Sequence, residues 1–351
     1  MLKDKFVISP SGGKLFVDHS KNNKSGHLGH ALVEYEPSKL LAFYPECSTD
    51  DPFWNGHSGH GWMKYRRSLD GGVSWMEENN EENSKKFYDE HGGTRSLMCE
   101  KAVVTDFGRI ILFYLQCDMQ INGYIWEPYY NPFYAISDNK GETFSNLKTF
   151  ADSPGRIWDA VCYKGNVYVL FQQSDALNEF NNSAYYLYVS NDNGNSFSIR
   201  SQIPFGYNRG VFYGSMVFTP EGKLIVYAYD LYDEHNAKYI VSEDFGNTWG
   251  INRRSFFANC IRNPQITYFN QRYILHGRSG MQSGHFIIYS SKDAIHWDEG
   301  EYLLKRVAGT GAYSNNVIVH LKDGTERLLI QTSHAYEKDK TNVIHFFLDK
   351  K

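Results

Sequence analysis

The sequence has no long apolar segment, no extended basic run and no apolar leader. No stretch approaches the about 18 apolar residues that a membrane-spanning helix needs, so we expect no membrane span. The formal net charge is −4 and the basic residues are dispersed, which argues against nucleic acid as a partner. The start, MLKDKFVISPSGGK, lacks the apolar core of a secretory signal. We therefore expect a cytoplasmic protein, or a secreted one if a leader has been removed.

Cysteine is also scarce. The chain has 5 cysteines, which is an odd number, and they are widely spaced with no Cys-x-x-Cys pair. This pattern indicates free thiols in a reducing compartment rather than a disulfide framework. We expect no cofactor and no bound metal.

What the sequence does contain is a high aromatic content, 16% of the residues, and a repeated octet. Aromatic residues favour strands. The copies of the octet are SLDGGVSW from Ser68, SDNKGETF from Ser137, SNDNGNSF from Ser190, SEDFGNTW from Ser242 and the divergent SSKDAIHW from Ser290. Repeats about 50 residues long indicate a repeat architecture, and four strands in each repeat indicate a β-propeller.

Pairs of apolar strands joined by tight turns lie between the octets. Two examples are AVVTDFGRIILFYL and SMVFTPEGKLIVYAY, whose turns contain the glycine that hairpins favour. With a third strand before each octet and a fourth after it, the chain contains six such units. We therefore predict an all-β protein, a single six-bladed propeller of four-stranded antiparallel blades over residues 1–351. The N-terminal segment KFVISPSGGKLFVD would supply the fourth strand of the last blade and close the ring.

The octet matches the Asp-box, S-x-D-x-G-x-T-W, and its repetition over nearly the whole chain resembles the sialidase superfamily of six-bladed propellers. The resemblance implies that the octet is a turn between the third and fourth strands, on the face opposite the functional site. Asp70 and Ser74 would then bond to turn backbone groups, Gly71 and Gly72 would allow positive φ, and Trp75 would pack between blades. Each octet has too few carboxylates to form a calcium loop.

The functional site should then lie on the other face, where the first strands start and the second strands end. Reading those positions and the loops beside them gives two groups of candidate residues. The catalytic candidates are His30, His57, Glu100, Asp159 and Tyr313. The substrate-binding candidates are Trp54, Arg95, Trp126, Arg156, Arg209, Tyr213, Arg262 and Arg278.

The catalytic set implied by the resemblance is matched only in part. Sialidases hold the substrate carboxylate with three arginines and use a Tyr nucleophile, a Glu that activates it and an Asp acid. Here Tyr313 fits the nucleophile and Arg278 fits one arginine. Leu28-Gly29-His30 stands where an Arg-Ile-Pro motif with the first arginine is expected, so that arginine is missing, and His57 lies in the loop that should carry the acid. Asn263 occupies a place where the Glu would be expected.

Several functions remain open on these residues. The first is a glycoside hydrolase that cleaves a bond next to an acidic sugar, since arginine forks match carboxylates. The second is a lyase in which a His or Tyr removes a proton beside a uronate. Hydrolysis by the carboxylates of Glu100 and Asp159 is a third mechanism, and a non-catalytic glycan-binding propeller is the alternative from another class. The histidines near His30 and His57 could serve as acid or base, bind zinc, or simply be hydrogen-bonded loop residues. In each case the expected partner is an oligosaccharide or polysaccharide, anionic in the first two readings.

Overall fold

The computed structural model describes residues 2–50, 60–118, 130–174, 184–205, 211–280, 284–304 and 313–351. These residues form an all-β, six-bladed propeller of four-stranded antiparallel blades, which confirms the predicted fold class. Alternation of apolar and polar residues along the strands gives each blade two faces, and each face packs against a neighbouring blade. The core therefore lies in the six clefts between blades.

Four strands run outward from the axis in each blade. The innermost strands are Ala31–Glu36, Arg95–Val104, Gly155–Tyr163, Val211–Phe218, Arg262–Phe269 and Ser314–His320. The second strands are Lys39–Ser48, Ile110–Asp118, Asn166–Gln173, Leu224–Asp230, Arg272–Ser279 and Glu326–Glu337. The third strands are Gly61–Ser68, Phe133–Ser137, Ala184–Ser190, Asn236–Ser242, His285–Ser291 and Lys340–Lys350. The outermost strands are Asn79–Asn80, Lys148–Thr149, Ser198–Ile203, Arg253–Phe256, Glu301–Leu304 and, in blade 6, Phe6–Val17.

Blade 6 combines the two ends of the chain. Its outermost strand is N-terminal and pairs with the C-terminal strand, with Phe6 opposite Lys350 and Val17 opposite Val343. The remaining elements are the helices Leu2–Lys5 and Glu82–Glu90, the 3₁₀ turn His19–Asn22 and the short strand Lys24–Ser25. Among the described residues, none of the helices has the length and apolarity needed to cross a membrane.

The octets form turns between the third and outermost strands. In the first octet, the Ser68 hydroxyl accepts a hydrogen bond from the Gly72 amide at 2.9 Å and donates to Asp70 at 2.8 Å. Asp70 in turn accepts from the Ser74 amide at 2.9 Å. Gly71 and Gly72 have φ values of 72° and 85°, as expected for a turn that needs the left-handed region.

The fifth octet departs from the predicted frame. The serine that bonds to the turn aspartate is Ser291, 2.9 Å from Asp293, and not Ser290. Ala294 has φ 59°, the left-handed conformation that Gly71, Lys140, Asn193 and Phe245 adopt at the same position of the other copies. The turn is one residue shorter, so the sequence frame that begins at Ser290 was wrong by one position.

The aromatic residue that ends each octet packs against the preceding blade. Trp75 of blade 1 lies with its ring centroid 4.9 Å from that of Phe16 in blade 6. Phe197 of blade 3 lies 5.6 Å from Phe113 of blade 2. These contacts join neighbouring blades on the octet face, and they leave the opposite ends of the innermost strands to form the mouth of the central channel.

Candidate functional site

The candidate site is a cavity at the channel mouth, at the start of the innermost strands. All six blades contribute to it. Its lining residues are Gly29, His30, Glu100, Lys101, Arg156, Ile157, Trp158, Tyr213, Gly214, Asn263, Gln265, Tyr313 and Ser314. Of the predicted site residues, His30, Glu100, Arg156, Tyr213 and Tyr313 are thus brought together.

β-Bulges direct four of these side chains into the cavity. The register of the first two strands shifts around Glu100 in blade 2, Trp158 in blade 3 and Tyr213 in blade 4. A similar shift in blade 5 falls at Asn263. A bulge leaves one residue outside the strand pairing and turns its side chain, which is why bulges are frequent beside active sites. Tyr213 and Asn263 also have positive φ, 43° and 51°, a strain of about 1 to 3 kcal/mol each.

Arg156 and Glu100 form a bidentate ion pair in the cavity wall. Arg156 Nε donates to Glu100 Oε2 at 2.5 Å, and Nη2 donates to Oε1. The guanidinium also lies over the Trp158 ring, 4.1 Å from its centroid, and is only 1% exposed. Both charges are therefore compensated, so Arg156 is not an uncompensated cation available to a carboxylate ligand.

Tyr313 and Tyr213 face each other across the cavity, with their hydroxyl oxygens 2.9 Å apart. Burial, followed by the neighbouring Tyr213, raises the pKa of Tyr313 well above its usual value. The phenol is consequently protonated in the resting protein. The sialidase resemblance implies a carboxylate as the partner of the nucleophile, and here that place is taken by a second phenol.

Arg262 and Arg278 are paired directly across the first two strands of blade 5. Arg262 donates to the Tyr229 hydroxyl at 2.9 Å and lies 3.2 Å from a carboxylate oxygen of Glu234. Arg278 is 4% exposed, and among the described residues no carboxylate lies within 4.0 Å of it and its Nε has no hydrogen-bond partner. Burial and then the charge of Arg262 lower the pKa of Arg278. One cation near the site is therefore left without an anion among these residues.

Asp159 lies in a buried polar cluster next to the cavity. Lys101 Nζ is 3.2 Å from Asp159 and also contacts Gln265 and Asn315. The second carboxylate oxygen of Asp159 accepts bonds from the Ser215 hydroxyl and the Met216 amide, at 2.7 and 2.8 Å. Both oxygens are thus occupied and buried, which favours a structural role for Asp159 over the predicted catalytic one.

His30 belongs to a hydrogen-bond network between blades 1 and 6. The Gln331 amide nitrogen donates to His30 Nδ1 at 3.0 Å and to the Phe43 carbonyl at 2.8 Å, while Gln331 Oε1 accepts from His345 at 2.9 Å. Burial lowers the pKa of His30 to about 3, against the backbone carbonyls of His27 and Gly26. A general base works best with a pKa near the working pH, so these contacts favour a neutral, positioning imidazole.

The other predicted residues are more peripheral or lie outside the described chain. Arg95 is bound to Asp118, with Nε 2.9 Å from the carboxylate, and lies over the Tyr130 ring. Trp54, His57, Trp126 and Arg209 lie outside the described residues. Within the described ranges, no three His, Cys, Asp or Glu side chains are grouped so that they could hold a metal ion.

Sequence reasoning missed several residues that shape this site. The Trp158 ring stacks on the Arg156 guanidinium, and the Gln331 amide donates a hydrogen bond to His30. Tyr229 and Glu234 bind Arg262. Gln331 could have been found from the sequence, because it is a polar residue directly after the apolar residues of a predicted strand in RLLIQTS. A polar side chain in such a strand is expected to be buried and hydrogen-bonded, and Gln331 is fully buried. Tyr229 and Glu234 gave no such signal, since only the folded blade places them beside Arg262.

A six-bladed propeller with Asp-box turns on one face and clustered Arg and Tyr residues on the other defines a sialidase-like propeller. Residues 133–344 match the family described as the BNR repeat-like domain. This range is more than half of the chain, and the chain belongs to that family.

Similar solved structures share the fold at low sequence identity. A Hadza microbial sialidase, Hz136, is 14% identical with a TM-score of 0.71, covering 96% of this chain and 68% of its own. The intramolecular trans-sialidase of Ruminococcus gnavus is 12% identical with a TM-score of 0.65, covering 96% and 97%. A Dyadobacter fermentans protein of unknown function is 12% identical with a TM-score of 0.70, covering 96% and 97%. No curated protein sequence matches the chain.

Proposed function

We propose that this protein is a glycoside hydrolase that cleaves a glycosidic bond next to an anionic sugar. The observation that carries the proposal is Arg278, a buried guanidinium with no carboxylate partner among the described residues. It interacts electrostatically with the phenols of Tyr313 and Tyr213, which line the cavity. A buried charge without a partner costs several kcal/mol, and a substrate carboxylate would offset that cost through charge-assisted hydrogen bonds.

Tyr313 is the proposed nucleophile. Because burial keeps its phenol protonated, attack on the anomeric carbon requires the Tyr313 proton to pass to Tyr213 while Tyr213 passes its own proton on to Glu100, the proposed final acceptor. The bond to the leaving oxygen breaks as the bond from Tyr313 to the sugar forms, and water then hydrolyses that covalent bond. Glu100, held in place by Arg156, is a described carboxylate that interacts electrostatically with Tyr313. His57, outside the described residues, is the proposed acid that protonates the leaving oxygen.

The structural neighbours support an acidic sugar as the first substrate class to examine. Two of them are a sialidase and a trans-sialidase, and the latter was solved in complex with oseltamivir carboxylate. The test is a screen of sialosides and uronic-acid oligosaccharides, with released sugar measured and the ultraviolet absorbance recorded. Hydrolysis releases a saturated sugar, whereas an absorbing unsaturated product would contradict a hydrolase.

The variant Tyr313→Phe tests the nucleophile. It removes one hydroxyl from the cavity, and we expect turnover to fall by at least 100-fold with little change in stability. The matched control is Tyr302→Phe, which removes a hydroxyl from the outermost strand of blade 5 and should leave turnover unchanged. Full activity of Tyr313→Phe would overturn the assignment.

A glycan-binding propeller without catalysis is the second candidate function. It is favoured by the raised pKa of Tyr313 and by the ion pair between Glu100 and Arg156. In the resting protein the Tyr313 phenol is protonated and the Glu100 carboxylate is bound to a cation, so neither group is a strong base. Saturable binding of an acidic sugar without turnover, with binding lost in Arg278→Met, would support this candidate over the hydrolase.

A further inference from the structure

Two large aromatic side chains of blade 4 are exposed to solvent. Tyr232 is 73% exposed and Phe256 is 63% exposed. His235 lies in the same loop as Tyr232, and its ring stacks on that of Phe256. We call Tyr232, His235 and Phe256 the blade 4 platform. Exposed aromatic rings grouped in this way are typical of a surface that binds a ligand.

The blade 4 platform lies on the same face as the candidate site. The strand pairing places Val211, which opens the innermost strand, opposite Asp230 at the end of the second strand. Asn236, at the start of the third strand, is opposite Phe256 at the end of the outermost strand. Tyr213 and Phe256 are therefore at the same end of the blade, and the loop 231–235 connects strands at that end.

The platform is held in a fixed orientation. The His235 and Phe256 ring centroids are 5.9 Å apart with an interplanar angle of 14°, an offset stacked arrangement in which the imidazole supports the Phe256 ring on one side. His235 Nδ1 bonds to the Phe257 carbonyl at 2.9 Å, and the Phe257 amide donates to the His235 carbonyl at 2.7 Å. A ring fixed in this way can accept a flat ligand at little entropic cost.

The same loop contacts Arg262, one of the predicted substrate-binding residues. Glu234 precedes His235, lies 3.2 Å from Arg262 and accepts a bond from the Ile261 amide at 2.8 Å. The charges around the platform are balanced, because two cations face two carboxylates. Arg254 lies 3.8 Å from Asp233 and 4.0 Å from Asp230, and Lys238 also interacts electrostatically with Asp230. Balanced charge beside an apolar ring suits a neutral ligand with many hydroxyl groups better than an anion.

We propose that the blade 4 platform binds a neutral sugar ring in the part of the glycan that lies beyond the scissile bond. The apolar C–H face of the sugar stacks on the exposed ring of Phe256, and Tyr232 in the 231–235 loop at the same end of the blade is the second aromatic side chain available to it. Asp233 and Arg254 are within the same surface to bond to the hydroxyl groups. The choice of a glycan rests on the proposed function, whereas stacking of a neutral sugar can be measured without it.

The experiment titrates lactose, cellobiose and maltose, separately, into the full chain and records aromatic NMR signals. We expect millimolar binding of at least one of them that shifts the Phe256 and Tyr232 signals. Phe256→Ala should weaken this binding by about three- to tenfold, and Tyr232→Ala by a smaller factor. Both residues are exposed, so both variants should fold.

The matched control is Phe107→Ala. Phe107 is 78% exposed and lies in the turn between the first two strands of blade 2, on the opposite face. The Phe107→Ala variant should bind the disaccharides as tightly as the unmodified chain does. The proposal is overturned if none of the three sugars shifts the platform signals, or if Phe256→Ala binds as well as Phe107→Ala. If no substrate in the screen is hydrolysed but the disaccharides still bind to the blade 4 platform, only the proposed function is contradicted.

Discussion

On the octet face, neighbouring blades repeat the same hydrogen bonds, whereas on the site face the described residues that line the cavity differ from blade to blade. Ser190 and Ser242 accept bonds from glycine amides at 2.8 and 2.7 Å. At the other end of the same two blades, the bulged residues are Trp158 and Tyr213. Repetition therefore indicates structure that each blade needs, and departure from repetition indicates residues selected for the channel mouth.

The two faces also differ in how well their polar groups are satisfied. Each turn aspartate accepts several local hydrogen bonds, which favours stability. The site face retains positive φ at Tyr213 and Asn263 and an uncompensated Arg278 among the described residues. Such features lower stability and persist where function requires them. Substitutions of uncompensated residues on the site face should therefore lower activity and raise the free energy of unfolding, whereas substitutions in the octets should lower the free energy of unfolding and leave activity unchanged.

The largest expected effect is that of Arg278→Met. The change removes a buried cation that faces the like charge of Arg262. We expect kcat/KM on the active substrate to fall, which corresponds to a loss of about 2 to 5 kcal/mol in the stabilisation of the transition state. We also expect the free energy of unfolding, measured in urea, to rise by about 1 to 4 kcal/mol, because a well-packed apolar side chain replaces a buried charge.

The control for this prediction is Arg253→Met. Arg253 is an exposed arginine in the outermost strand of blade 4, so its loss should change neither quantity by a measurable amount. A lower stability of Arg278→Met would show that Arg278 is bound by a carboxylate in the resting protein, and the contrast between the faces would fail.

The features that could be predicted from the sequence are mostly those formed by residues close together in the chain. The bond of Asp70 to a backbone amide of its octet turn was predictable from the Asp-box resemblance, because its partner lies only four residues away. The Ser74 hydroxyl differs from the expectation, because it bonds to the Asp70 carboxylate and not to a backbone group. The gathering of Glu100, Arg156, Tyr213 and Tyr313 followed from their positions at strand starts. Their pairing did not, because bulges redirect the side chains and the partners are 56 and 100 residues apart. The occupied Asp159 was unpredictable for the same reason, since its partners come from other blades.

The next effect concerns pH and the imidazoles buried behind the site face. Burial lowers the pKa of His30 and His276 to about 3 and that of His19 to about 4. The unfolded chain binds these protons below about pH 6.5, and the folded chain does not until a much lower pH. Stability should thus fall as the pH drops from about 6.5 to about 4, by about 1.4 kcal/mol per pH unit for each histidine.

Urea unfolding of His30→Asn over this pH range tests the contribution of one imidazole. Asparagine keeps an acceptor for the Gln331 amide, so the fold should be retained while the slope falls by about 1.4 kcal/mol per pH unit. The turn aspartates do not interfere, because the stability that they contribute is lost only as the pH falls below 3.8, the usual pKa of Asp, towards their lowered values in the folded protein, such as about 2 for Asp244. An unchanged slope in the variant would mean that His30 titrates normally in the folded protein.

The smallest effect is expected on the octet face, from Asp70→Ala. The substitution removes an acceptor of bonds from Ser68, from the Ser74 amide and, at 2.5 Å, from the Ser74 hydroxyl. Because the group is near the surface, we expect the free energy of unfolding to fall by only about 1 kcal/mol, with kcat/KM unchanged. Asp152→Ala, which removes an exposed carboxylate outside any octet, should change stability by less than about 0.5 kcal/mol. Reduced activity in Asp70→Ala at full folding would show that the octet face communicates with the channel mouth, and the division between the two faces would no longer hold.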